Sequence, residues 1–335
     1  MALVENPILT ICIPTYNRAN KVYELVLDLL KFEGNEIQIV VLDNISNDDT
    51  EQRLSTINDL RFHYVKNSEN IGGPLNHLKV LTLGNGLFSL LCLDKDFINF
   101  KSLKQFLEKL LSDKEIVFGH CELNLVRSSV DKLYDKGYMS IKNMAYRSQH
   151  PSGMFYRTSI LKNLTILPKI FDERLKFGFY PDILNGEMAT RGKSMLFKSP
   201  LVFTESKTEC AKTPSFTYDE NDVFFAPRQR IFEFDIYSKY IFELHLSKKL
   251  STKLIKVNYL RRLMAATIEY RSILKDNEVC QHYGVISRKV TIGEILTNAN
   301  RFTDHFHENT KKVRFLDKLY ITSIGRLIVF IKLFL

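Results

Sequence analysis

Four short apolar runs in the first third of the chain alternate with stretches whose apolar residues recur at helical spacing. The runs cover residues 9–14, 37–42, 62–65 and 87–93. After the first run, apolar side chains return every three or four residues, as they do on one face of a helix; these residues are Val22, Leu25, Val26, Leu29 and Leu30. Strands that alternate with helices predict an α/β fold with a mostly parallel central sheet and helices on both faces.

Polar residues follow each of the four predicted strands. They occupy positions 15–18, 43–44, 70–73 and 94–96. The carboxyl ends of parallel strands meet at one edge of a sheet, and ligands of open α/β sheets bind beyond that edge. The pattern therefore predicts one binding site built from four loops.

Asp94 and Asp96 end the fourth predicted strand. In an extended chain, residues two apart point the same way, so we expect the two carboxylates to converge. Adjacent carboxylates repel each other unless a cation lies between them, and a hard divalent cation that also binds phosphate oxygens suits such a pair. A solvated acidic turn is the alternative reading of the pair.

Over residues 8–205 these motifs resemble the catalytic domain of a family 2 glycosyltransferase with the GT-A-type fold, of the kind that assembles bacterial surface polysaccharide. The matching positions are residues 11–18, residues 41–44 with Ser46 and Asp49, Asn70 with Gly72, and residues 93–96. The resemblance implies metal-dependent, inverting transfer of a sugar from a nucleotide-sugar, expected to be UDP-linked. The acceptor would be a glycan or a lipid-linked glycan in capsule-type polysaccharide biosynthesis.

The resemblance also implies roles for single residues. Asp43 would accept a hydrogen bond from the uracil imide, and Asp96 with Asp94 would hold Mn²⁺ or Mg²⁺. Residues expected to bind the nucleotide-sugar are Pro14, Thr15, Tyr16, Arg18, Asp43, Asn44, Asn70, Gly72, Gly73, Asp94 and Lys95. His77 departs from the family, because many members carry Arg at this position, and we expect a histidine on the helix surface.

Inverting transfer needs a base for the acceptor hydroxyl, and a carboxylate is the usual group. By resemblance Asp182 is the candidate, before a helix predicted over 183–191. It could instead only cap that helix, and Asp172 and Glu173 are the reserve candidates. Residues expected on the acceptor side are Ser152, Gly153 and Tyr180. A loop over 204–218 would cover the diphosphate with Lys207 and Lys212.

The basic residues are concentrated in the last third of the chain. This uneven distribution suggests two parts, a catalytic domain over 1–227 and a helical region over 228–335. Residues 1–227 carry 27 Lys and Arg against 28 Asp and Glu, and residues 228–335 carry 20 against 10. The segment 316–335 is apolar but interrupted by Arg326 and Lys332. It is typical of a helix lying on an anionic membrane, although docking on the core or on another subunit is the alternative.

The remaining features concern location and partners. The start of the chain has no basic, apolar leader, and the unpaired cysteines are typical of a reducing compartment. We therefore expect a cytoplasmic protein, peripheral on the cytoplasmic face of the membrane. Nucleic acid is not expected as a partner, because the basic residues come with apolar helix faces and no nucleic-acid-binding module.

Two other functions fit the same pattern. A nucleotidyltransferase on a similar sheet would need a glycine-rich, basic phosphate loop after the first strand, and the sequence has none after Pro14. A catalytically silent protein would bind the nucleotide and dock to a membrane through its basic region.

Overall fold

The computed structural model describes residues 7–123, 130–204, 217–219 and 222–334. The chain forms two compact units that divide between residues 206 and 207. The sequence predicts a domain boundary after residue 227, and that boundary stays a prediction.

The first unit contains one nine-stranded sheet in the order β3-β2-β1-β4-β8-β6-β9-β5, with β7 also paired to β9. β3, β2, β1 and β4 are mutually parallel, and β8 runs antiparallel between β4 and β6. The strands are β1 Leu9–Thr15, β2 Ile37–Asp43, β3 Phe62–Lys66, β4 Phe88–Leu91, β5 Phe97–Ile98, β6 Ile116–Leu123, β7 Lys132–Tyr134, β8 Met154–Arg157 and β9 Lys193–Phe203. The predicted α/β fold with a mostly parallel sheet is confirmed, and the antiparallel pairs make the sheet mixed.

Helices connect the strands and bury their apolar faces on the sheet. They are α1 Ala19–Leu29, α2 Thr50–Leu54, α3 Gly73–Leu83, α4 Phe100–Ser112, α5 Tyr138–Met144, α6 Thr158–Leu161, α7 Ile166–Glu173 and α8 Tyr180–Met188. α1 and α4 share one core with the alternate residues Leu9, Ile11 and Ile13 of β1. α3 contacts β1 and β2 but lies outside that core, so helices cover both faces of the sheet.

One local prediction was wrong. The strand expected over 87–93 ends at Leu91, and the backbone N–H of Asp96 donates to Leu93 O at 3.0 Å, so the two aspartates lie in a turn and not on an extended chain. α1 begins at Ala19, and the side chain of its N-cap residue Arg18 makes no capping hydrogen bond. The N–H of Ala19 instead donates to the Asp48 carboxylate at 3.0 Å, which makes the cap a contact between loops.

The second unit is mainly helical after a two-stranded sheet of β10 Thr217–Asp219 and β11 Asp222–Val223. Its helices are α9 Pro227–Glu243, α10 Lys248–Met264, α11 Tyr270–Ile273, α12 Asn277–His282, α13 Ile292–Asn309 and α14 Phe315–Phe334, with a π-helical turn at Ala265–Glu269. Its core contains a cluster of contacting aromatic rings, formed by Phe234, Tyr259, Phe302 and Phe306. Of the helices in the described part of the chain, none combines the length and apolarity needed to cross a bilayer.

Candidate functional site

The loops that follow β1, β2 and β4 meet at one edge of the sheet. Thr15 and Asp43 are register partners at the ends of β1 and β2. The backbone N–H of Asn44 donates to Thr15 O at 3.0 Å, and the Thr15 hydroxyl donates to the Asp94 carboxylate at 2.9 Å. The convergence expected from the sequence is thus present among these three loops.

Asp94 is buried and bonded through both carboxylate oxygens. Thr15 Oγ1 donates to Oδ2, and Arg18 Nη1 pairs with Oδ1 at 2.8 Å. Burial raises the pKa of Asp94, while the Arg18 guanidinium and the Thr15 hydroxyl act in the opposite direction. A second positive charge beside this carboxylate would favour its ionised form further.

Asp96 is fully buried beside Ser152, which precedes β8. The Ser152 hydroxyl donates to Asp96 Oδ2 and accepts the backbone N–H of Leu93 at 3.0 Å. Gly153 has φ +87°, and a Cβ there would lie 3.0 Å from Cys121 O, so glycine suits this bend. Ser152 and Gly153, expected on the acceptor side, hold the turn that carries Asp96; their contact with an acceptor stays a prediction.

The chemistry of the two carboxylates fits Mn²⁺ or Mg²⁺, which both take oxygen ligands. Within the described ranges there is no cluster of three or more His, Cys, Asp or Glu that could hold a metal. Mg²⁺ is commonly bound through one or two carboxylates together with substrate phosphates and waters. Asp96 and Asp94 therefore suit a metal that arrives with a diphosphate, and they do not form a closed protein cage.

Asp43 is fully buried and oriented by three donors. Oδ1 accepts the Ser46 N–H at 2.9 Å and the Ser46 hydroxyl at 2.6 Å, and Oδ2 accepts the Tyr64 hydroxyl at 2.8 Å. Tyr64 keeps its proton in this contact, because burial and the Asp43 carboxylate raise its pKa. Since a carboxylate offers about four lone-pair positions, one on Oδ2 is left for another donor. Tyr16, which follows Thr15 in the loop after β1, is 42% exposed.

The predicted residues after β2 and β3 are tied to each other by their amides. Asn44 Nδ2 donates to Asn70 Oδ1 at 2.7 Å, and Asn44 Oδ1 accepts the Ile71 N–H at 3.0 Å. Asn70 Oδ1 also accepts the N–H of Gly72, whose φ of +80° is a conformation that glycine adopts without strain. This network fixes the loop before α3 against the end of β2. The remaining predicted residues in these loops are the buried Pro14, the exposed Gly73 and the half-buried Lys95.

Asp182 lies fully buried in the first turn of α8. It does not cap that helix. Its Oδ2 accepts the backbone N–H groups of Arg147 and Ser148, the second at 2.6 Å, and Asn185 donates to Oδ1 at 3.3 Å. The carboxylate thereby holds the segment that leads into Ser152.

The other acceptor-side candidates lie in different surroundings. Tyr180 is fully buried, packs on Phe177 at 5.6 Å between ring centroids, and donates its hydroxyl to Leu175 O. Asp172 and Glu173 are exposed at the end of α7. Lys207 and Lys212, expected to cover the diphosphate, lie outside the described residues.

Three histidines lie near the site: the sequence predicts His77 on a helix surface, and it marks no role for His120 or His150. Burial lowers the pKa of His77, His120 and His150 to about 4, so all three are neutral at pH 7. His150 O contacts His120 Nε2 at 3.2 Å, and the charges of His150 and Arg18 contribute to the lowered pKa of His77. His77 is half-buried and not on the helix surface as expected. No spacing in the sequence marks these residues.

The fold is that of a GT-A-like α/β domain followed by a helical region. Residues 10–165, which are 156 of the 335 residues, match the family model described as Glycosyl transferase family 2. A curated protein of Mycobacterium tuberculosis (strain CDC 1551 / Oshkosh), "Uncharacterized protein MT1568", is 31% identical over 80 residues, which are 24% of this chain and 25% of that protein. The match therefore spans about a quarter of the length of that relative.

Solved structures of S. aureus TarS share the fold over most of the chain. Residues 1–349 of S. aureus TarS align with a TM-score of 0.55 at 14% identity, covering 90% of this chain and 91% of that one. The same TarS fragment in complex with UDP-GlcNAc gives the same values. The mannosyltransferase PcManGT from Pyrobaculum calidifontis, in complex with GDP-Man and Mn²⁺, has a TM-score of 0.48 at 14% identity and covers 98% of this chain and 89% of that one.

Proposed function

We propose that this protein is a metal-dependent, inverting glycosyltransferase. It transfers a sugar from a nucleotide-sugar, UDP-linked, to the hydroxyl of a glycan or lipid-linked glycan in surface-polysaccharide biosynthesis. The observation that carries the proposal is the meeting of Thr15, Arg18, Asp43 and Asp94 at one edge of the sheet. Because the described TarS complex contains UDP-GlcNAc, this is the first donor to test.

The donor would lie along the edge formed by the β1, β2 and β4 loops. The free lone pair of Asp43 suits an imide N–H, and the exposed Tyr16 ring suits the face of a base. Arg18 is 39% exposed and pairs with Asp94, so its guanidinium can turn to the phosphates once another cation neutralises Asp94. A divalent cation bound with the diphosphate would neutralise the charge of the leaving group.

Asp182 is the proposed general base. During transfer, the acceptor oxygen forms a bond to the anomeric carbon, the bond from that carbon to the diphosphate oxygen breaks, and the acceptor proton passes to the carboxylate. The support is a chain of contacts from Asp182 to Asp96. Asp182 accepts the backbone N–H groups of Arg147 and Ser148, and Ser152, four residues after Ser148, donates its hydroxyl to Asp96. Asp172 and Glu173 remain the reserve candidates.

The test is a screen of nucleotide-sugars for Mn²⁺-dependent release of the nucleoside diphosphate by the full chain. We expect release from a UDP-sugar that EDTA abolishes, and loss of release in Asp96→Ala. Glu33→Gln serves as the matched control, because Glu33 is an exposed carboxylate before β2, at the opposite end of the strands from the site. Nucleotide binding that ignores divalent cations and survives Asp96→Ala would contradict the metal assignment.

A test of Asp182 as the general base needs a variant that preserves the structural contacts of this residue. Asp182→Asn keeps an oxygen that accepts the backbone N–H groups but removes the basic carboxylate. We expect transfer to fall by at least about 100-fold, the scale of general base catalysis, with binding of UDP and the unfolding midpoint unchanged. Equal transfer by wild type and Asp182→Asn would move the role to Asp172 or Glu173.

A catalytically silent relative is the second candidate, favoured by one observation. Both oxygens of Asp94 accept hydrogen bonds from Thr15 and Arg18, so about half of its lone-pair positions are already occupied by protein groups. A silent protein would bind UDP without hydrolysing or transferring from any donor in the same screen. The screen therefore separates the two functions.

We also propose that the protein works on the cytoplasmic face of the membrane as a peripheral protein. A lipid-linked acceptor is confined to that surface, and the basic second unit supplies the attraction to anionic lipid.

A further inference from the structure

A basic cavity of about 550 Å³ lies between α10 and the start of α14 in the second unit. Five cationic side chains and one carboxylate line it: Lys248, Lys249, Lys253, Lys256, Arg314 and Asp317. Positions 249, 253 and 256 share one face of α10 because they are separated by about one helical turn each. The cavity therefore has a local charge of +4 in a concave surface, which attracts phosphate groups.

Two of these lysines lie where a helix disfavours them. Lys248 and Lys249 occupy the first turn of α10, directly after the Ser247 cap, and that turn contains no acidic residue. Cations at a helix N-terminus oppose the helix dipole. Both side chains are exposed, so neither serves the packing of the unit.

α14 presents large apolar side chains outward as well as inward. Its inner face includes Ile321, Gly325 and Val329. The outward residues are Phe315, Leu316, Leu319, Tyr320, Leu327, Phe330, Ile331 and Phe334, each at least 42% exposed. They recur at three- and four-residue spacing and form one stripe along about 30 Å of helix.

The stripe and the cavity are continuous. Tyr320 belongs to the outward stripe and also lines the cavity, where the Lys256 ammonium lies 4.5 Å from its ring centroid. A partner that binds both the basic cavity and the outward stripe must present anionic phosphates next to an apolar phase. Nucleic acid offers the phosphates without the apolar phase, and a second copy would bring two cavities of like charge together.

We propose that the basic cavity and the outward stripe of α14 form one docking surface for an anionic phospholipid bilayer. Lipid phosphates enter the cavity, and the aromatic and aliphatic side chains of the stripe lie in the headgroup region parallel to the membrane plane. This assigns residues and a lipid class to the peripheral location proposed above. It does not depend on glycosyl transfer.

The test is co-sedimentation of the full chain with vesicles of phosphatidylcholine alone and of equal parts phosphatidylcholine and phosphatidylglycerol. We expect binding to the anionic vesicles that weakens with added salt. In Lys248→Gln/Lys249→Gln, the loss of two charges lowers the partition by about thirtyfold. The change removes cations from a helix N-terminus, so the fold is retained. The matched control, Lys275→Gln/Lys289→Gln, removes two exposed lysines of the same unit outside the cavity and binds like wild type.

A second variant tests the apolar half. Phe330→Ser/Phe334→Ser should lose binding to the anionic vesicles even at low salt, while release of nucleoside diphosphate in solution stays unchanged in all these variants. The proposal is overturned if the two vesicle types bind equally, if neither lysine nor phenylalanine variants differ from wild type, or if a nucleic-acid duplex competes the protein off the vesicles. It is also overturned if Phe330→Ser/Phe334→Ser converts a stable dimer into a monomer, because a second copy then covers the stripe. Loss of vesicle binding with donor hydrolysis intact separates this proposal from the function of the first unit.

Discussion

Ser152 shows at the residue scale how one hydroxyl connects two parts of the site. It donates to the Asp96 carboxylate and accepts from Leu93 N–H, so it orients a proposed metal ligand without being one. Groups that orient a ligand in this way affect metal affinity by about 10- to 100-fold.

Ser152→Ala should therefore raise the Mn²⁺ concentration needed for half-maximal donor hydrolysis by about 10- to 100-fold. A titration of Mn²⁺ at saturating donor measures this shift. Ser159→Ala, on the exposed side of α6, is the control and should leave the Mn²⁺ requirement unchanged. An unaltered requirement in Ser152→Ala would remove Asp96 from the metal site.

The second unit also contains a buried carboxylate, Glu233. It is fully buried and paired with the guanidinium groups of Arg230 at 2.9 Å and Arg262 at 2.5 Å, both also buried. Because removal of the carboxylate leaves two cations in a buried position, we expect Glu233→Ala to lower the free energy of unfolding by about 3–5 kcal/mol. Urea unfolding of the full chain tests this, with the exposed Glu308→Ala as control. A loss of less than about 1 kcal/mol, as for exposed pairs, would mean that solvent reaches the cluster.

At the scale of elements, α14 packs on α10 through a glycine. A Cβ at Gly325 would lie 2.7 Å from Leu263 Cδ2 and 2.8 Å from Tyr259 Cε1. Glycine is here required by the distance between the two helices, although alanine is the better helix former by about 1 kcal/mol.

Gly325→Ala should destabilise the protein by about 1–3 kcal/mol, since overpacking exceeds the gain in helix propensity. The unfolding midpoint in urea measures the change. Gly293→Ala is the matched control, because α13 also gains a methyl group there but the nearest atom is Thr291 Oγ1 at 3.8 Å. We expect that control to be neutral or stabilising. If both substitutions stabilise the protein, α14 is not held against α10 as described.

At the scale of the whole molecule, buried histidines determine how stability depends on pH. Burial lowers the pKa of His120 from 6.5 to about 4, so the unfolded chain binds more protons than the folded one between these values. The stabilising contribution is fully present above pH 6.5 and is lost as the pH falls through 4. For His120 it amounts to about 3 kcal/mol, and His77 and His150 act in the same direction.

His305 opposes this trend. The Asp235 carboxylate raises its pKa, so its contribution is present below pH 6.5 and is lost as the pH rises through its folded value. Because three of these histidines have a lowered pKa and only His305 has a raised one, the urea midpoint should fall as the pH is reduced from 6.5 to 4. His120→Gln should make this fall shallower, while the exposed His63→Gln should not. A midpoint that stays constant over this range would mean that the three histidines are solvated.

Features that depend on neighbouring residues can be predicted from the sequence, whereas features that depend on contacts between distant residues cannot. Strand and helix alternation is a local pattern, and β1, β2 and β3 lie within one residue of their predicted positions. β4 ends early because a turn hydrogen bond closes at Leu93, which apolar character does not reveal. β6 begins with the apolar residues Ile116, Val117 and Phe118, which are a local strand signal of the same kind.

The sequence by itself determined the α/β class and the loops that form the edge of the site, because side-chain periodicity and the polar residues after each strand are properties of neighbouring residues. Only the tertiary structure decided what those loop residues contact. Ser152 reaches Asp96 across 56 positions, Arg147 reaches Asp182 across 35, and Ala19 is capped by Asp48 across 29. Such contacts depend on how distant segments are brought together, and a single sequence contains no spacing rule for them.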